Sequence, residues 1–253
     1  MRHLYCAWDQ ALANSGFACL EWLDGEKKLS YVGSHVFHPS LKWGIKSDAL
    51  IFLEHQKHVK DTLTNFGTIS AGGVEAIGVE GIAFAAPGQA ASRGGIWAIY
   101  ATMSVLYGDV VVIQPTRLKR YLAEYGFAEK EDIKRIILSK YKDVPDTLSY
   151  DEYDAIGLAE VTAYAHMITY GKKELVRKLI SPAQFEIFLD PRVAENIKLQ
   201  VEKFDLKKKE KKEYNKEAKK LGKKIKKIKR FKPVRLTGIC DRPDDFYITK
   251  RSN

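Results

Sequence analysis

Two apolar runs that each end in an acid decide the fold: Leu4-Tyr5-Cys6-Ala7-Trp8-Asp9 and, further along, Val74-Glu75-Ala76-Ile77-Gly78-Val79-Glu80. Both are short, and the second is bounded by Gly72-Gly73 and Gly81, the signature of buried strands. Working outward, Gly16 to Leu23 and Leu29 to Phe37 read as two more strands, separated by the turn signal Leu23-Asp24-Gly25-Glu26. Three strands in succession with short turns predict an antiparallel meander. Asp48 to Phe66 carries apolar residues at 50, 53, 59, 63 and 66, a helical spacing. Gln89 to Tyr107 reads as a helix rich in small residues, and Asp109 to Ile113 as a central strand of β-branched residues. Pro115 suits the first turn of a helix from Pro115 to Tyr125. Lys130 to Tyr141 and Tyr150 to Tyr170 are further helices, the last ended by Gly171. The order β-β-β-α-β-α-β-α-α-α predicts an α/β fold: a mixed sheet with helices on both faces.

The 253 residues suit one large domain with an appendage. At 45% apolar and 29% charged residues, a sizeable core can form. The opening residues hold no apolar run of signal-peptide length, and no stretch of about 20 uncharged apolar residues occurs anywhere. Cys6, Cys19 and Cys240 are too few and too scattered for a disulfide framework or a Cys-rich zinc site. The expectation is a soluble protein of a reducing, cytoplasmic compartment with no membrane partner.

The net charge of +10 is unevenly placed. Between Lys198 and Arg235 stand 18 Lys or Arg against 5 acids, a local +13, whereas residues 1–197 are net −3. A mildly acidic body with a strongly basic extension attracts polyanions, nucleic acid first and acidic membrane surface second. The alternative is a solvated helix with no ligand. The organisation expected is a body over 1–170 and a basic, mainly helical extension over 171–253. Within the extension, Tyr214, Ala218, Leu221, Ile225 and Ile228 form a narrow stripe at spacings of 4, 3, 4 and 3 on a cationic rod. Lys219, Lys220, Lys223, Lys224, Lys226 and Lys227 are its candidate phosphate contacts; dimerisation through the stripe is the competing reading.

Asp9 and Glu80 close strands expected to be neighbours, and Asp151 and Asp154 lie at i and i+3 on one helix face. Each alone could be an ordinary strand-end or N-terminal acid. Together the four can converge at one edge of the sheet. Clustered carboxylates repel unless cations hold them, and hard oxygen ligands select Mg²⁺ or Mn²⁺. Two such ions about 4 Å apart polarise a phosphodiester and activate water.

Other motifs carry less. His35 with His38, and His55 with His58 beside Glu54, have i, i+3 spacing, but no third ligand suits zinc, so solvent-facing histidines are expected. No glycine cluster forms a phosphate-binding loop, so no small-molecule cofactor is expected. Arg93 and Ser92 suit either a DNA phosphate or a capping role. Trp43 and Tyr31 read as core or edge-strand residues.

The same residues carry a resemblance. Over about residues 1–170 the chain resembles the RuvC-type Holliday junction resolvases of the ribonuclease-H-like nuclease superfamily. The first acid is followed by a small-residue turn and Ser-Gly, here Asp9-Gln10-Ala11-Leu12-Ala13-Asn14-Ser15-Gly16. The second opens Glu80-Gly81-Ile82-Ala83-Phe84, and the last motif is Asp151-Glu152-Tyr153-Asp154-Ala155-Ile156-Gly157-Leu158-Ala159. Lys119 and Lys130 have the spacing of two basic residues that meet DNA phosphate in that family. Three departures stand out. Ala-Trp-Asp-Gln-Ala replaces the usual Gly-Ile-Asp-Pro-Gly, Phe84 lies one residue further from the acid than the family's base-stacking aromatic, and 171–253 has no counterpart in compact members.

The resemblance implies a ribonuclease-H-like fold and a Mg²⁺-dependent endonuclease, with Mn²⁺ able to substitute, that resolves four-way DNA junctions. In it Asp9, Glu80, Asp151 and Asp154 hold two metal ions, Lys119 and Lys130 serve the scissile phosphate, and Phe84 contacts DNA; Arg93 is a further candidate DNA contact on its own reading. A two-fold junction implies a homodimer. The added tail points to a phage or mobile-element version acting in its host's cytoplasm. Two other classes stay open: a non-catalytic nucleic-acid-binding protein, and an actin-like or sugar-kinase-like phosphotransferase fragment, whose phosphate-binding turn also follows a strand-end Asp.

Overall fold

The computed structural model describes residues 1–40, 48–68, 73–81, 90–124, 128–188 and 247–249. Phe84, Trp43 and the six lysines from Lys219 to Lys227 lie outside the described residues, as does the expected basic helix.

Strands β1 (Arg2–Asp9), β2 (Ser15–Leu23) and β3 (Ser30–Phe37) form the antiparallel meander. Helix α1 (Asp48–Gly67) leads to β4 (Val74–Glu80), α2 (Ala90–Ser104) and β5 (Asp109–Ile113). Then come α3 (Pro115–Ala123), α4 (Lys130–Lys140) and α5 (Tyr150–Thr169). The sheet order is β3-β2-β1-β4-β5-β6, with β4 parallel to both β1 and β5. This is the mixed α/β sheet expected, with element boundaries within a few residues of those read from the sequence.

Two features extend it. Short helices α6 (Lys173–Leu179) and α7 (Pro182–Glu186) continue past residue 170 and pack on α5 and α3. A last strand, β6 (Tyr247–Thr249), pairs antiparallel with β5 at the sheet edge. No described helix is long and apolar enough to cross a membrane.

Alternation along the strands assigns the two faces. Leu4, Cys6 and Trp8 of β1 join Val59 and Leu63 of α1 and Ile96 and Tyr100 of α2 in one buried cluster. Tyr5 and Ala7 face the other way, towards α5: Tyr5 meets the His166 ring edge-on, at 5.7 Å between centroids. α5 is buried along nearly its whole length and lies across β1, β2 and β4. Small residues make that possible. A Cβ on Gly78 of β4 would stand 2.1 Å from Thr162 Oγ1, so only glycine lets the helix lie this close.

The histidines depart from expectation. His55 is fully buried, not solvent-facing, and its Nδ1 is 2.8 Å from the Tyr100 hydroxyl. Ile51, His55, Val59 and Leu63 follow one another at intervals of four, so His55 sits on the apolar stripe of α1. His58 stacks on Phe37, and its Nε2 lies 3.2 Å from that of His35. Tyr31 lies on the edge strand β3, as the sequence suggests, bonded to Ser34.

Candidate active site

The carboxyl ends of β1 and β4 lie side by side, with Trp8 opposite Val79 as their last paired residues. By alternation Asp9 shares the face of Tyr5 and Ala7, and Glu80 the face of Gly78. Both therefore project towards α5. That helix begins at the same edge, set by a reciprocal cap: Ser149 Oγ accepts from the Glu152 N–H, and the Glu152 carboxylate accepts from the Ser149 N–H. Glu152 is further held by the Ser34 hydroxyl of β3 at 2.8 Å. The first turn of α5 is thus tied to the meander; it carries Asp151, and Asp154 follows at i+3.

Gly16 completes the arrangement. It pairs with Asp9 across the β1–β2 ladder, and a Cβ there would stand 2.1 Å from the Asp151 carbonyl oxygen. The start of α5 rests on bare backbone beside Asp9. Ser15 closes the intervening loop: its Oγ accepts from Ala11 N–H at 3.2 Å and donates to Ala11 C=O at 3.1 Å. The Ser-Gly pair after the first acid therefore has a mechanical meaning.

One cavity of about 680 Å³ opens at this edge. Its wall includes Asp9, Glu80, Asp151, Asp154, Lys119 and Lys130, and Arg93 also lines it. All six residues expected to act together are gathered there, from five separate elements. Lys130 Nζ reaches Asp151 Oδ1 at 2.9 Å. The apolar part of the wall includes Leu12, Ile96, Trp97, Pro115 and Ile133, to none of which the sequence reading gives a role at the site. Leu12 in the small-residue turn, and Ile96 and Trp97 midway along the small-residue helix α2, are the signals the sequence offers.

The electrostatics are those of a crowded, poorly neutralised carboxylate cluster. Burial first, then the charges of Glu80 and Asp151, push Asp9 well above the usual carboxylate range, and Lys130 only partly offsets this. Burial also drives Glu80 up to about 7; a hydrogen bond with Asp9 opposes the rise, Asp154 adds to it, and Lys119 and Lys130 oppose it. Asp154 reaches about 7 through burial and the charges of Asp9 and Asp151. Lys130 is partly desolvated, yet its bond to Asp151 and the charges of Asp154 and Asp9 hold its ammonium more firmly than usual. Four carboxylates thus face two lysines, with Arg93 a third cation on the wall. The donor set is hard oxygen, short of positive charge, and of the kind that Mg²⁺ or Mn²⁺ satisfies. Among the described residues no three His, Cys, Asp or Glu side chains already close around a single point. Side-chain rotation would have to bring the acids together on an ion.

Thermus thermophilus RuvC superposes on 68% of this chain and 97% of its own, with a TM-score of 0.50 at 18% identity. The fold is that of RuvC. The same protein in complex with a Holliday junction substrate gives a TM-score of 0.51, again at 18% identity, over 66% of this chain and 96% of that one. Fowlpox virus resolvase with its substrate Holliday junction DNA aligns over 62% of this chain and 93% of its own, but at 13% identity and a TM-score of 0.33 it carries no weight. No family model and no curated protein matches the sequence. At these identities the RuvC likeness establishes architecture; the case for chemistry rests on the cavity.

Proposed function

We propose that this protein is a Mg²⁺-dependent endonuclease that cuts branched DNA, four-way junctions above all. The observation that carries this reading is the single cavity shared by Asp9, Glu80, Asp151, Asp154, Lys119 and Lys130. The RuvC-like architecture supports it at the level of fold. Mn²⁺ would substitute for Mg²⁺, because both are hard cations satisfied by carboxylate oxygen.

The four acids would hold two divalent ions, with Asp9 central because burial and the charges of Glu80 and Asp151 both press on it. Such ions polarise a phosphodiester and lower the pKa of water at neutral pH. The chain's own groups do the rest. Asp9 and Glu80 sit on rigid strand ends, which fixes their backbones before substrate arrives. Lys119 and Lys130 enter from α3 and α4 and would offset charge on the scissile phosphate. To do so Lys130 must exchange its Asp151 partner for the phosphate. Arg93 suits a neighbouring phosphate, where a charge positions the strand without reading sequence. The apolar wall of Leu12, Ile96 and Trp97 suits the sugar and base beside the cut.

The +13 segment between Lys198 and Arg235 would supply the long-range attraction that the acidic body lacks. Lys219, Lys220, Lys223, Lys224, Lys226 and Lys227 are its proposed phosphate contacts, and Phe84 a proposed base contact. A homodimer would match the two-fold symmetry of a junction. Labelled four-way junctions, Y-forks and linear duplex, each incubated with Mg²⁺ or with EDTA, test the proposal. Paired nicks across the junction, abolished by EDTA, are expected. Tight junction binding without cleavage under any divalent ion would favour a non-catalytic binding protein.

A further inference from the structure

One side chain at the candidate site belongs to neither the acids nor the lysines, yet it touches the backbone of one acid and directly follows another in sequence. Gln10 is the first residue after β1, directly behind Asp9. Its Nε2 donates to the Glu80 carbonyl at 2.6 Å, and its Oε1 accepts from the Glu80 N–H at 3.1 Å. A primary amide has one donor edge and one acceptor edge side by side, as a peptide group does. Gln10 therefore pairs with both polar backbone groups of Glu80 in the place where the ladder between β1 and β4 runs out. On its other flank the backbone is held by β5: Gly81 N–H donates to the Ile113 carbonyl at 2.8 Å. The Gln114 amide lies close over Gly81, where a Cβ would stand 2.7 Å from its Nε2. The Glu80 backbone is thus pinned from both sides, and the pin on the Asp9 side is a side chain. The loop that carries Gln10 is itself closed by Ser15 on Ala11.

We infer that Gln10 is a positioning residue that sets the spacing of the Asp9 and Glu80 carboxylates and so tunes the site's affinity for a divalent cation. The inference rests on the reading of the acids as metal ligands. The two strand tips carry carboxyls close enough to share a hydrogen bond, and ionised carboxylates so placed repel each other. Ladder hydrogen bonds stop at Val79. Without the amide clasp the Glu80 end of β4 can relax away from Asp9, and an ion must then draw the two together at each binding event. A merely structural role would lower the melting temperature and leave ion affinity untouched.

The test is calorimetric titration of the full chain with Mn²⁺, alongside junction cleavage as a function of Mg²⁺ concentration. Wild type, Gln10→Ala, Gln10→Met and Asp9→Asn are compared. Gln10→Met keeps the length and volume of the side chain while deleting both bonds, so it guards against loss of folding, which thermal melting monitors. Outer-shell partners of metal ligands typically change affinity by about 10–100-fold when removed. Both Gln10 variants are expected to weaken Mn²⁺ binding on that scale. They should raise the half-saturating Mg²⁺ concentration in proportion, with a smaller loss of the plateau rate. Unchanged Mn²⁺ affinity in a folded Gln10→Met protein overturns the role given to Gln10. Asp9→Asn binding Mn²⁺ as wild type does is a different failure, because it removes the acids as ligands, and with them the reason for Gln10.

Discussion

The backbone of Gly16 lies directly beneath the Asp151 carbonyl: a single methyl group on Gly16 would stand 2.1 Å from that oxygen. Because Gly16 pairs with Asp9, this contact fixes how far the first turn of α5 lies from the end of β1. The spacing of the candidate acids therefore depends on a residue with no side chain.

Gly16→Ala should consequently damage both stability and activity. The added methyl meets backbone and cannot be accommodated by a rotamer change, so a loss of about 1–3 kcal/mol is expected. Gly94 of α2 is the control, since a Cβ there meets nothing within 4 Å. Gly94→Ala should stabilise the protein by about 0.5–1 kcal/mol through helix propensity. Urea unfolding of both variants checks the contrast, and junction cleavage should fall only for Gly16→Ala.

The acids make stability depend on pH when no metal is present. Glu80 and Asp154 are raised to about 7 from ordinary values of 4.5 and 3.8. The unfolded chain releases their protons from about pH 4, whereas the folded chain holds them to about pH 7. Ionisation therefore destabilises the fold increasingly across that window, fully so above it. In EDTA, Glu80→Gln and Asp154→Asn should melt higher than wild type at pH 8.5. At pH 4 and below the advantage should vanish. Mg²⁺ should raise the melting temperature of wild type more than that of either variant.

The histidine cluster has the opposite sign. Burial, with His35 and His55 nearby, lowers His58 from 6.5 to about 4. The unfolded chain takes up this proton below about pH 6.5 and the folded chain does not until about pH 4, so stability is lost as pH falls between them. His58→Phe retains the stacking surface on Phe37 and should lose less melting temperature between pH 7 and 5 than wild type does. Differential scanning fluorimetry in EDTA, with Glu80→Gln as common background, isolates the effect.

The sheet and the two strand-end acids were legible because alternating burial and a terminal carboxylate are both local signals. Asp151 and Asp154 were legible for the same reason, one helical turn being a fixed spacing. The burial of His55 is also written in the chain, at intervals of four with Ile51, Val59 and Leu63, whereas the i, i+3 spacing to His58 points to a different face. The clasp of Gln10 on Glu80 was not legible, since a hydrogen bond between residues 70 apart leaves no local pattern. Nor was the edge strand β6: three residues are too few for periodicity, although Phe246-Tyr247-Ile248-Thr249 is rich in β-formers.

A buried hub holds the lysine-bearing helices in place. Glu160 of α5 is wholly buried and accepts from Tyr121 of α3, from Lys140 of α4, and from the Tyr141 hydroxyl at 2.7 Å. Glu160→Ala strands two buried hydroxyls and an ammonium that is only partly able to reach water, at a cost of about 2–4 kcal/mol. Urea denaturation should show that loss. Cleavage by the folded fraction should also fall, because α3 and α4 carry Lys119 and Lys130.

For the basic segment, changing Lys219, Lys220, Lys223, Lys224, Lys226 and Lys227 to Gln should weaken junction and duplex binding alike. The slope of log affinity against log salt should flatten by about 0.9 for each phosphate that is no longer neutralised. An unchanged slope would leave these lysines in water. Cleavage at saturating DNA should be little altered.

The proposed function stands or falls on whether four carboxylates from three elements form one catalytic centre. The most direct test is single-turnover cleavage of a labelled four-way junction in Mg²⁺ by Asp9→Asn, Glu80→Gln, Asp151→Asn and Asp154→Asn, each shown by melting to be folded and by gel shift in EDTA to bind the junction. Every variant should bind, and each should lose cleavage by about two orders of magnitude or more, on the scale of a deleted group that stabilises the transition state. A folded, junction-binding variant of any of the four that cuts at close to the wild-type rate would contradict the proposed function.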